Sequence, residues 1–162
     1  LDPIQRQIVD LLPRLRRLAR VLAGQPADAD DLVQQTVERA LAARGQWRPG
    51  TRLDSWMFRI MKNAWIDETR VRRRRGAVLA PEEEGENVGG ASARAAEARL
   101  EAAEVERAIA RLPQEQRLAV ALVLVEGLSY KEAAEVLGVP QGTLTSRLGR
   151  GRQALLAELE GG

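Results

Sequence analysis

Three stretches carry residue types suited to chemistry, and in each the chemistry is binding. The first, Leu128 to Arg152, reads LSYKEAAEVLGVPQGTLTSRLGRGR. Ser129 and Glu132 have capping-box spacing, Gly138 stands where a helix closes on a left-handed residue, and Pro140 can open a second helix. Ala133 and Ala134 are small where two helices would cross closely. Leu144 and Leu148, four apart, would face inward and leave Thr143, Ser146, Arg147, Arg150 and Arg152 on the outer surface. This is the pattern of a helix-turn-helix whose second helix enters the major groove of DNA, with polar side chains reaching bases and Arg residues meeting phosphates or guanine. An ordinary helical hairpin with a solvated polar face would share it.

The second stretch, LDSWMFRIMKNAWIDETRVRRRR, sets Arg59, Lys62, Asn63, Arg70 and Arg73 at helical spacing beside Trp56, Phe58 and Trp65. Cations attract phosphate, and aromatic rings stack on unpaired bases. Trp56 and Trp65 are equally candidates for a core, and at least one is expected inside. Arg72 to Arg75 also suits a solvated helix end, near the negative pole of the dipole. The third stretch, DADDLVQQTVERAL, would be an amphipathic helix showing Asp31, Gln34, Gln35 and Glu38, a face that is ordinarily just solvated.

Composition narrows the field. The 162 residues include no Cys and no His, which excludes thiol nucleophiles, imidazole acid–base work, disulfides and zinc fingers. No clustered carboxylates suggest a metal, no Gly-rich phosphate loop is present, and neither cofactor nor catalytic activity is expected. The net charge is only +2, yet residues 1–75 hold 16 basic and 9 acidic side chains, a balance of +7. Residues 76–104 come to −5, with 2 basic and 7 acidic, and residues 105–162 balance at 7 each. This segregation points to an anionic partner for the first segment. The longest uncharged apolar run, Leu118 to Val125, is too short for a bilayer, and charges interrupt any opening signal peptide. A cytoplasmic, all-α protein is expected. The missing initiating Met suggests trimming or a partial chain.

The elements that must position these groups follow from apolar spacing. Ile4, Ile8, Leu11, Leu15, Leu18 and Leu22 mark a first helix to about Ala23, which Pro13 is expected to kink or restart. A second helix should start at Asp28 as N-cap, with Leu32, Val33, Val37, Ala40 and Leu41 buried. A third should start from a Thr51/Asp54 capping-box variant. Residues 76–92, rich in Glu, Gly and Pro, read as a flexible acidic linker. Helices are then expected from Ala93 to Arg111, from Pro113 to Glu126, from Ser129 to Gly138, and from Pro140 to about Leu159. The division is 1–75, 76–92 and 93–162: two small helical domains and a tether.

Together and in this order, the segments resemble a bacterial extracytoplasmic-function (ECF) sigma factor over nearly the whole chain. DADDLVQQTVERAL resembles sigma region 2.2, the Trp/Arg-rich stretch regions 2.3 and 2.4, and Leu112 to Arg152 region 4. The resemblance implies a protein that binds core RNA polymerase and directs it to promoters. By the same likeness, Asp31, Gln34, Gln35 and Glu38 are polymerase-binding candidates, although the family often has Glu at the position of Gln35. The minus-ten candidates are Trp47, Arg48 and Arg52, in a loop that receives a flipped-out base, and Trp56, Phe58, Arg59, Lys62 and Asn63. The minus-thirty-five candidates are Thr143, Thr145, Ser146, Arg147, Arg150 and Arg152. Family members often carry larger or basic side chains at Thr145 and Gly149, and Ala at Gly151. Two Gly in the reading helix therefore predict a frayed end or close backbone approach to phosphate.

The likeness also implies an anti-sigma partner that holds the two domains together and occludes their DNA-facing surfaces. Two rivals remain. A sigma-like mimic would capture the anti-sigma factor without touching promoters, but it need not retain Arg59, Lys62 and Arg72 to Arg75. A simple helix-turn-helix regulator would leave the first 75 residues unexplained.

Overall fold

A computed structural model of the chain describes residues 1–76 and 93–161, and all regular structure among them is helical. The N-terminal unit has three helices. In α1 (Pro3–Ala23) the predicted stripe is the buried one, with Ile8, Leu15, Leu18 and Leu22 inside. Its first turn is closed by a capping box not read from the sequence: Gln5 N–H donates to Asp2 Oδ1 and Asp2 N–H to Gln5 Oε1, both at 2.9 Å. The helix runs through Pro13 without a restart. Pro13 is exposed, and so is Val9, whose carbonyl it deprives of a donor, so water can serve that group.

Helix α2 (Pro26–Ala42) starts two residues before the predicted cap, with Pro26 at its first position and no side-chain cap from Gln25. The Asp28 carboxylate turns instead to Arg72, whose Nη2 and Nη1 donate to Oδ1 and Oδ2 at 2.6 and 3.0 Å. Ala29, Leu32 and Ala40 are buried, with Val33, Val37 and Leu41 partly buried against them. A short 3-10 turn (Arg44–Gln46) leads to α3 (Leu53–Arg75). The Thr51/Asp54 box does not form. The Thr51 hydroxyl donates to the Arg48 carbonyl at 2.6 Å, and Asp54 accepts from arginines.

The C-terminal unit comprises α4 (Ala93–Ala110), α5 (Gln114–Val120), α6 (Tyr130–Leu137) and α7 (Gln141–Gly161). The helix expected to continue to Glu126 widens into a π-type turn at Ala121–Val125, where Glu126 N–H donates to the Ala121 carbonyl at 2.9 Å. Helix α6 has the predicted Ser129/Glu132 capping box and ends on Gly138 at φ +67°, a conformation that costs Gly nothing. Gly151 has a packing reason rather than a DNA reason. It is buried, and an added Cβ would lie 2.6 Å from Val120 Cγ2 and 3.3 Å from the Gln116 carbonyl oxygen. Its missing side chain lets α7 lie close on α5.

The two units share one apolar cluster, from Ile8 to Leu148. Helix α1 packs on α4, α5 and the π-type turn, and α3 packs on α6. Apart from Gly76, the predicted linker lies outside the described residues.

Candidate nucleic-acid and polymerase interfaces

Helix α7 sorts its residues as the periodicity predicts. Leu144 and Leu148 are buried at 0% and 2% exposure. Thr145, Ser146, Arg150 and Arg152 are exposed, and Thr143 and Arg147 are half-buried at the edge of that face. The Thr145 hydroxyl donates back to the Gln141 carbonyl at 2.9 Å, so its oxygen still offers lone pairs outward. Arg147 lies 3.7 Å from Glu115, so part of its charge is already answered.

On α3, Arg59 and Asn63 are exposed, and Trp56 and Lys62 are half-buried. Burial, and secondarily the charge of Arg59, pushes the Lys62 ammonium below its ordinary range. Trp65 is the tryptophan that goes inside, at 5% exposure. Phe58 must leave the base-stacking set: its ring is fully buried in the core, with the Arg14 guanidinium 5.1 Å from its centroid. Position 58 shares the inward stripe of Asp54, Met61 and Trp65, at spacings of three and four. Arg72 is likewise spoken for, by Asp28 and Glu68.

The loop between α2 and α3 carries the remaining minus-ten candidates. Arg48 and Arg52 are exposed, and Trp47 is half-buried beside an open cavity also lined by Pro3, Ile4, Pro49 and Thr51. The Trp47 indole Nε1 is buried and has no hydrogen-bond partner among the described residues. A buried N–H without an acceptor is costly.

Asp54 organises this corner. Its Oδ2 accepts from Arg14 at 2.9 Å and Arg52 at 2.7 Å, and its Oδ1 from Arg52 Nε and from the Ser55 N–H at 2.8 Å. Burial alone would raise this carboxyl, but the bonds from Arg52, Arg14 and Ser55 outweigh it and hold the group below its ordinary value. A depressed folded-state value gives stability that is fully present above the unfolded value, about 3.9, and is lost as pH falls through the folded one. Asp54→Asn should therefore lower the urea midpoint at pH 7 by more than at pH 3. Parallel losses at both pH values would show that the ionised form contributes nothing special.

The α2 face presents Asp31, Gln34 and Glu38 to solvent, with Gln35 half-buried. Gln34 Nε2 donates to Glu38 at 3.2 Å. Asp31 and Gln35 lie on the rim of a groove of about 460 Å³, whose walls include Leu32, Trp65, Leu112 and Arg117. Both units contribute to it.

Sequence reasoning missed the groups that join the units. The Glu126 side chain is fully buried and is held by Arg17, with contacts of 2.8 and 2.9 Å, and by Arg14 at 3.3 Å. Arg52 also pairs with Glu132, and Arg59 Nη2 donates to the Glu135 carbonyl at 2.6 Å. The one readable signal was Glu126 itself, a lone charge closing the apolar run from Leu118 to Val125.

The fold and its polar faces define a class: two helical units, the second ending in a helix-turn-helix with an exposed polar reading face. A family model for the sigma-70 region 4 domain matches residues 102–155, and one for the sigma2 domain of PhyR matches residues 8–62. The chain is 38% identical to the ECF RNA polymerase sigma factor EcfG of Rhodopseudomonas palustris, over 98% of this chain and 86% of that protein. The sigma factor RpoE of Bartonella quintana, solved in complex with the anti-sigma factor NepR, superposes with a TM-score of 0.82 at 27% identity, over 99% of this chain and 98% of that one. CnrH, solved in complex with the cytosolic domain of CnrY, gives a TM-score of 0.68 at 30% identity, covering 97% and 90%. The chain belongs to the extracytoplasmic-function sigma factors, a family that implies RNA polymerase binding and transcription from promoters. No helix among the described residues is long and apolar enough to cross a membrane.

Proposed function

We propose that this protein acts in the cytoplasm, binds core RNA polymerase and directs promoter-specific initiation, without catalysis of its own. Residues 1–75 would engage the polymerase through Asp31, Gln34, Gln35 and Glu38. The same unit would open and hold the minus-ten element through Trp47, Arg48, Arg52, Trp56, Arg59, Lys62 and Asn63. Residues 93–162 would read the minus-thirty-five element through Thr143, Thr145, Ser146, Arg147, Arg150 and Arg152. The carrying observation is the sorting of α7, which buries Leu144 and Leu148 and leaves a polar, Arg-bearing face free. Extruding a base costs a few kcal/mol, and the cavity beside Trp47 is the kind of preformed recess that offsets it.

Control by an anti-sigma factor is part of the same reading, because the anti-sigma factor NepR and the cytosolic domain of CnrY are each seen in complex with a chain shaped like this one. The match of residues 8–62 to a PhyR domain keeps the mimic as a formal rival. The likeness to EcfG along nearly the whole chain, with Arg59 and Lys62 retained, favours the true factor. In vitro transcription with core polymerase on a promoter library decides between them. Enriched promoters support the proposal, and no transcript above core polymerase alone overturns it.

Within that reading, Arg150→Ala should weaken minus-thirty-five binding by about tenfold and reduce the salt slope by about one. Arg147→Ala should weaken it less, because Glu115 already answers part of its charge. Titrations over a salt series check the order. Equal losses would show that Glu115 does not temper Arg147, and no loss in either would remove these residues from the DNA-facing set.

A further inference from the structure

We propose that Lys62 is a modification site: its ε-amine, standing beside the Arg59 guanidinium, is acylated by small acyl phosphates. Of the 25 basic side chains only Lys62 and Lys131 are lysines, and the arginines offer no amine to acylate. The two lysines stand in different surroundings. Lys131 is exposed on α6, whereas Lys62 is half-buried on α3. Lys62 makes no hydrogen bond or ion pair among the described residues. Arg59 precedes it by three residues, a spacing that makes the two side chains neighbours on one helical face. Among the described residues the Arg59 guanidinium is bonded only to the Glu135 carbonyl, 2.6 Å from its Nη2, so its charge meets a dipole and no carboxylate. Two adjacent cations without an acid to answer them attract a small anion.

The pair meets both needs of acyl transfer to an amine. The nucleophile must be the neutral amine, which a lysine gains through desolvation and through a neighbouring cation. Burial first, and the Arg59 charge second, act in that direction on Lys62. The donor must also be brought close, and the phosphate of an acyl phosphate offers the paired anionic oxygens that suit a guanidinium fork. The Lys62 nitrogen then attacks the acyl carbon. The N–C bond forms as the C–O bond to phosphate breaks. Inorganic phosphate leaves with that electron pair, and the amine proton passes to water. A neutral amide is left where a cation stood. The modification itself does not depend on what α3 binds. Its consequence does, and rests on the minus-ten reading: one cation fewer on that face should weaken the hold on the DNA backbone.

The test treats the full chain with acetyl phosphate at fixed pH and follows acetylation of Lys62 and Lys131 by peptide mass spectrometry. Lys62 should be modified at least about fivefold faster than Lys131. Arg59→Gln should slow Lys62 by about fivefold with acetyl phosphate, the worth of one exposed charge pair, and should leave the Lys131 rate unchanged. With p-nitrophenyl acetate, which carries no phosphate, the same variant should slow Lys62 much less. Modification of Lys62 no faster than Lys131 overturns the site. A Lys62 rate that Arg59→Gln leaves unchanged, or lowers equally with both donors, overturns the capture of phosphate by Arg59. The consequence is read separately, by assembling acetylated and untreated chains with core polymerase on a promoter enriched from the library. Acetylation should shorten the lifetime of the open complex by about fivefold. Lys62→Arg keeps the charge and cannot be acylated, so its treated and untreated forms should match each other. An equal shortening in treated Lys62→Arg assigns the effect to another site and overturns the consequence. Selective acetylation of Lys62 with an unchanged lifetime overturns the minus-ten reading of Lys62, but not the modification site.

Discussion

Phe58→Ala is expected to destabilise the N-terminal helices by about 3–5 kcal/mol, the range for removing a fully buried aromatic ring. Phe58 is 0% exposed, inside the cluster formed by Leu15, Leu18, Met57 and Met61. Its loss leaves a cavity and strips the Arg14 guanidinium of the ring beneath it. All three tryptophans, Trp47, Trp56 and Trp65, lie in this half, so tryptophan fluorescence during urea unfolding follows it selectively. Trp56→Ala is the contrast. Trp56 is half-buried, so its truncation should shift the urea midpoint much less and should impair promoter opening more than polymerase binding. A Phe58→Ala variant that unfolded at the wild-type midpoint but failed to open promoters would return Phe58 to the base-stacking set.

Phe58 shows how the fold became legible before the site. Apolar spacing placed every described helix within a few residues, because burial along a helix follows a fixed period that sequence displays directly. Capping at Ser129 and Glu132, and the left-handed close at Gly138, were readable because donor and acceptor lie within one turn. Asp28 and Asp54 carry the same local signal, but each is claimed from a distance, Asp28 by Arg72 and Asp54 by Arg14, with Arg52 two residues away adding a second guanidinium. A charged bond to a guanidinium is stronger than a cap to a backbone N–H, and nothing local announces it. Gly151 was misread for the same reason, since only the approach of Val120 explains it.

The outward faces of α2 and α7 were legible as faces. Their chemistry was not, because a polar stripe that reads DNA and one that is merely wet have the same periodicity. Family likeness supplied the difference. Phe58 joined the stacking aromatics already from its place beside Trp56 and the α3 cations, although the spacing of Asp54, Met61 and Trp65 puts it inward. The joint between the units was the least legible part. Arg14 and Arg17 sit in a run of exposed-looking arginines, and only the folded chain distinguishes them from Arg16, which is exposed.

Arg117→Ala should be the most damaging single change at that joint, costing about 2–4 kcal/mol. Arg117 lies on α5, yet its Nη1 donates to the Leu22 carbonyl at the end of α1, at 2.6 Å. Its Nε and Nη2 donate to the Leu112 carbonyl at 3.2 and 2.9 Å, and its guanidinium lies 5.2 Å from the Trp65 ring centroid. Burial pulls this guanidinium down to about 10, still far above neutrality, so the group stays charged among carbonyl dipoles and a ring face. Hydrogen bonds from a charged donor contribute about 1.5–3 kcal/mol each way of counting, and the truncation also leaves two carbonyls short of a partner. Arg117→Lys should recover less than half of the loss, because a single ammonium cannot span both carbonyls as the planar fork does. The check is twofold. The urea midpoint should fall, and native tryptophan emission should shift to the red as Trp65 loses its cover from α5. Unchanged emission together with a loss below about 0.5 kcal/mol, the level of an ordinary surface substitution, would mean that Arg117 is a bystander at the joint.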